Sequence, residues 1–202
     1  MKRFIIYTLF IVFLINCQSL AKLKYGIKNP YFATESDLNS FLLKYKIQQN
    51  SFFFKDWESY KQAITSKYSS IPDAYFFNKN GEFVTYKKTA SDCNAKVDEF
   101  IAELNNFSSI EGDKTKNISE IIPLLTNTKN EKIDLNEVTV LISWASFIGK
   151  VNEDKAFEWI RILDEAKNNN VKVNYYLINY DLQKSWDLNE EDENEIKESF
   201  KM

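Results

Sequence analysis

Side chains able to do chemistry are few in this chain, and their types bound what it can be. There is no histidine. A Ser-His-Asp triad, a Cys-His pair and every imidazole metal site are therefore excluded. Two cysteines, Cys17 and Cys93, cannot make a cysteine-rich zinc centre. Gly26, Gly81, Gly112 and Gly149 are scattered, so no glycine-rich phosphate loop can be built. Cys93 is the candidate nucleophile. In the first turn of a helix its thiol would be acidified, because helix N-termini favour anions, although Asp92 opposes the effect. Cys93 also belongs to an apolar stripe with Val97, Phe100, Ile101 and Leu104, where it would be an inert core residue. The acidic run at residues 189–195 lacks the Asp-x-Asp-x-Asp-Gly spacing of a calcium loop and reads as a solvated terminal helix. No cofactor or metal is expected.

The first 21 residues read as an export signal. Lys2 and Arg3 form a short positive start. Residues 4–15 are apolar except for Thr8, a run too short to span a bilayer comfortably. Two processing routes are open. Ser19-Leu20-Ala21 fits small-x-small cleavage before Lys22. Leu14-Ile15-Asn16-Cys17 resembles a bacterial lipobox, with Asn16 in the place of the usual small residue, and would leave Cys17 acylated. Either route exports the chain, as a periplasmic or secreted protein or as a membrane-anchored lipoprotein. Both leave Cys93 as the one thiol, so no internal disulfide is expected. The net charge of −3, with both signs mixed along the chain, gives no basic surface for nucleic acid or anionic lipid. Membrane contact would come through a lipid on Cys17.

The elements that must position any site alternate in type. Thr34-x-x-Asp37 resembles a capping box before a helix with Leu38, Phe41, Leu42 and Tyr45 on one face. Phe52, Phe53 and Phe54 form a short apolar strand. Trp57, Tyr60, Ile64 and Tyr68 mark the next helix. Residues 74–77 and 82–86 read as a hairpin around Asn80-Gly81, which supplies the positive φ of a tight turn. A helix over residues 93–104 follows. Residues 105–117 and 127–136 are polar connectors around a short helix at 118–125, in which Pro123 is out of place. Residues 138–143 form a buried strand, 154–167 a helix, 171–179 a long strand and 190–200 a terminal helix. Helices alternating with five strands make the class α/β. Residues 22–202 read as a single domain whose halves, 34–105 and 117–202, are joined by the polar connector.

Two segments together carry a family resemblance. Trp144-Ala145-Ser146-Phe147-Ile148-Gly149-Lys150-Val151 follows a β-branched run and resembles the active-site turn of the thioredoxin-like redoxins, Trp-Ala-x-Trp/Phe-Cys-x-x-Cys. Ile148 and Val151 stand where the cysteines would be. Ile71-Pro72 before the hairpin at 73–86 is similar to the cis-proline and closing hairpin of the same family. The resemblance implies a thioredoxin-like sheet of about five strands flanked by helices. It also implies a partner-binding surface at Ile71, Pro72, Trp144, Phe147 and Ile148. The motifs come in reversed order, so the sheet would be circularly permuted, or each half would be a fragmentary copy completing one sheet. Thiol exchange needs a thiolate, which Ile148 and Val151 cannot supply. The expectation is therefore a non-catalytic cell-envelope protein that binds an unidentified protein or peptide without disulfide exchange. The alternatives are a single-thiol redox protein using Cys93 and a structural envelope lipoprotein.

Overall fold

The computed structural model describes residues 22–49, 51–87, 96–103, 111–129 and 131–200. The expected export segment with Cys17, and the candidate thiol Cys93, lie outside the described residues.

Among the described residues nine strands are formed: β1 (Phe32–Ala33), β2 (Ser51–Phe54), β3 (Asp73–Phe77), β4 (Glu82–Val84), β5 (Asp113–Asn117), β6 (Leu125–Thr126), β7 (Val138–Trp144), β8 (Val173–Asn179) and β9 (Leu182–Gln183). The α-helices are α1 (Glu35–Lys44), α2 (Trp57–Ile64), α3 (Val97–Ala102), α4 (Glu158–Asn168) and α5 (Glu190–Phe200). Seven strands make one mixed sheet in the order β5-β4-β3-β7-β8-β2-β6, and β1 pairs with β9 apart from it. β2, β8 and β7 run parallel, while β3 is antiparallel to β7 and β4 to β3. Strands from both halves of the chain therefore interleave.

Two apolar layers sandwich this sheet. On one face Phe76, Val140, Ile142, Trp144 and Leu177 pack under α1, α3 and α4. On the other, Phe54, Tyr75, Phe77, Leu141 and Ile178 pack under α2 and α5. The alternation along each strand sends successive side chains to opposite layers. Every residue of β7 is buried, which explains its unbroken apolar run: a central strand covered on both faces has no polar side to show.

Local chemistry sets the element ends. The capping box before α1 is complete: Asp37 N–H donates to Thr34 Oγ1 (3.2 Å) and Thr34 N–H to the Asp37 carboxylate (2.9 Å). Asp56 caps α2 by accepting from Ser59 N–H at 2.7 Å. The hairpin turn closes with Gly81 N–H on the Asn78 carbonyl (2.8 Å) and Gly81 at φ +76°, where L side chains are strained.

Several elements depart from the sequence reading. The sheet has seven strands, not five. β5 is a polar edge strand, Asp-Lys-Thr-Lys-Asn, with no apolar alternation to betray it, and β6 is two residues long. The helix expected at 118–125 is two short 3₁₀ turns, Ile118–Glu120 and Ile122–Leu124. Pro123 is tolerated early in the second, where its missing N–H costs nothing. α2 ends at Ile64, so Tyr68 reaches the core from the following loop. The segment Glu153–Phe157 winds as a π-helix before α4 begins. α5 buries Ile196 and turns its acidic residues outward.

Candidate functional site

The end of β7 and the start of β3 face each other through a defined register. Asp73 pairs with Ser143, so the next antiparallel step sets Pro72 opposite Trp144. Ser143 Oγ fastens this junction. It accepts from Asp73 N–H at 2.7 Å and donates to the Ser70 carbonyl at 2.7 Å. The Ile71–Pro72 peptide is cis, and both residues are half-buried. Asp73 itself is buried, its carboxylate accepting from the Tyr86 hydroxyl (2.6 Å) and Ala74 N–H (2.8 Å) and reaching Lys87 Nζ at 3.3 Å.

Trp144 is fully buried. Its ring stacks on Phe41 of α1 at 5.7 Å between centroids, and its indole N–H donates to Ser51 Oγ at 2.9 Å. The expectation that Trp144 touches a partner is corrected by this burial. It is a positioning residue that ties β7 to β2 and α1.

After Trp144 the chain makes a 3₁₀ turn, Ser146–Ile148, and side chains from beyond the turn hold its mouth. Ser146 donates both its N–H and its hydroxyl to Asp181, each at 2.7 Å. Asn152 donates to the Ala145 carbonyl (2.8 Å) and the Gly149 carbonyl (2.9 Å). Asn179 Nδ2 adds a third bond to Asp181 at 2.7 Å, and Gln183 Nε2 donates to Asn179 Oδ1 at 2.9 Å. Burial pushes the Asp181 carboxyl above its ordinary value, while the bonds from Ser146, Asn179 and Phe147 pull the other way. With its lone pairs occupied by these donors, Asp181 is a clamp and not a general base.

The segment before β1 straps this turn. Lys28 N–H donates to the Phe147 carbonyl and Lys150 N–H to the Tyr25 carbonyl, both at 2.7 Å. The Tyr31 hydroxyl lies 3.1 Å from Ser146 Oγ. Gly149 has φ +58°, and a Cβ there would overlap the carbonyl oxygens of Tyr25 and Gly26. Only glycine satisfies both the backbone conformation and the close approach.

Phe147 and Ile148 remain half-buried, on the same side of the sheet as Ile71 for Phe147. Ile148 and Val151 carry alkyl side chains, so residues 146–151 hold no thiol. Of the residues expected at the site, Ile71, Pro72, Phe147 and Ile148 retain some exposure, and the strand register carries them to one end of the β3–β7 pair. The polar set Asn152, Asn179, Asp181 and Gln183 went unread in the sequence. Its signal is Asn179-Tyr180-Asp181 directly after the apolar run of β8: polar side chains there are buried, and buried polar groups need partners. Compared with known proteins, the chain matches no protein-family model, no curated protein and no solved structure.

Proposed function

We propose that the chain is a circularly permuted thioredoxin-like protein of the cell envelope that binds a partner protein or extended peptide and exchanges no disulfide. The observation that carries this reading is the sheet order β2-β8-β7-β3-β4, three parallel strands followed by two antiparallel ones. That order supports a thioredoxin-like arrangement in which the closing hairpin is made before the turn-bearing strand. The same register supports a contact face of Ile71 and Pro72 with Phe147 and Ile148 beside them. Trp144, buried beneath, orients the turn. The strap at residues 25–28 already engages the backbone of Phe147 and Lys150, so the half-buried side chains of Phe147 and Ile148 are what the turn would offer a partner. Export is supported by the positive start and apolar run of residues 2–15.

Site-specific photocrosslinking tests the reading. A photoreactive residue at Ile148 is expected to trap discrete protein adducts in intact cells, while one at exposed Glu191 on α5 traps none. Cys93→Ser should leave the adducts unchanged, since no thiol takes part. Equal trapping at both positions, or none at Ile148, would overturn the proposal. Loss of the adducts in Cys93→Ser would favour the single-thiol alternative.

A further inference from the structure

A groove of about 450 Å³ lies between α1 and β2. Leu38 and Leu42 of α1, Ile47 after it and Phe53 of β2 give it an apolar strip, with polar side chains such as Asn39, Gln48 and Thr128 around it. A ten-residue helix gives it a length of roughly 15 Å. Leu43 stands at its edge with 69% of its surface exposed, a large apolar side chain left in water beside an apolar trough.

The polar lining is more specific than the walls. Gln183, 3% exposed, lines the groove. Its Nε2 is committed to Asn179 Oδ1 (2.9 Å) and the Asp181 carbonyl (2.8 Å), which fixes the amide's orientation. No described residue donates to its Oε1. A nearly buried acceptor of this kind gains from an N–H or O–H donor brought to it. The charged residues on the groove, Glu35 and Lys129, are exposed and of opposite sign. No buried charge faces the interior to compensate an ionised ligand. Size, an apolar strip and an acceptor held in a fixed orientation suit a small-molecule pocket.

We propose that this groove binds a neutral small molecule with an aliphatic body and one N–H or O–H group, the body on Leu38, Leu42, Ile47 and Phe53 and the donor on Gln183 Oε1. The site is separate from the partner face at Pro72 and stands or falls apart from it. It has a built-in reporter, because Ser51 lines the groove and holds the Trp144 indole N–H.

Octan-1-ol and 1-methoxyheptane test the assignment. The two have the same number of heavy atoms and differ in whether they carry a donor. Titrated into the wild-type protein and followed by NMR, octan-1-ol should shift the methyl signals of Leu38, Leu42 and Ile47 and the Trp144 indole N–H. The ether should bind roughly threefold to tenfold more weakly, the worth of one hydrogen bond. Gln183→Leu should bring the two affinities together. Equal binding of alcohol and ether to the wild type, shifts spread over other surfaces, or no shift up to the solubility of the alcohol would each overturn the proposal. The wild-type comparison decides the matter even if the variant fails to fold.

Discussion

Asp181 holds both oxygens inside a shell of donors from Ser146, Asn179 and the Phe147 backbone, yet burial still outweighs those bonds and raises its carboxyl above 3.8. A carboxyl raised in the folded state binds its proton there before it does in the unfolded chain. Its contribution to stability is thus full below the unfolded value and is lost as pH rises through the folded one. Asp181→Asn removes that dependence. It also turns an amide N–H toward groups that are themselves donors, a cost of about 1–3 kcal/mol. The expected outcome is a wild-type advantage that narrows as pH rises from the ordinary carboxylate range, read from urea midpoints of both proteins. An advantage that widens with pH would mean the hydrogen bonds outweigh burial. At this scale the sequence was legible where a residue type has one plausible use. Gly81 is of that kind, at the positive φ that the hairpin turn demands. Trp144 was misplaced because a large aromatic after a strand serves equally as an exposed contact or a buried wedge. Its partners Phe41 and Ser51 lie 103 and 93 residues away by sequence number.

The strap and the turn form one unit made of two distant segments. Two backbone hydrogen bonds and the bare Cα of Gly149 hold it together. Gly149→Ala should therefore act twice. It strains a backbone at φ +58° and drives residues 25–26 off the turn, at a combined cost of about 1–3 kcal/mol. The expected signature is local: faster amide exchange at Lys28 and Lys150 with the exchange of β7 unchanged. Uniform acceleration across the sheet would make the contact part of the global core instead. Elements with strong local signals were readable, as with the capping box of α1 and the apolar run of β7. β5, β6 and the 3₁₀ turns were not. An edge strand of Asp, Lys, Thr and Asn owes its pairing to β4 rather than to its own pattern, and a two-residue strand has no pattern at all.

For the molecule as a whole, the telling fact is which strands lie in the middle. β7 and β8, made late in the chain, separate β2 from β3, made early. The first half therefore holds strands from the two flanks of the sheet with nothing between them. A polypeptide of residues 22–130 should show no cooperative unfolding, and adding residues 131–202 should restore it, as followed by circular dichroism and tryptophan emission. An independently folding first half would contradict the interleaved sheet. The α/β class followed from alternating patterns of period 3.6 and 2. The interleaving did not, because pairing between distant strands leaves no mark on either strand's own periodicity. Interleaving also sets a clock for biosynthesis. A ribosome releases β2 and β3 long before β7 and β8, the strands that join them, exist, so the emerging chain cannot close its sheet until about its last third is made. Such a polypeptide stays open through most of its synthesis, and the compact state appears only after β8 has been made.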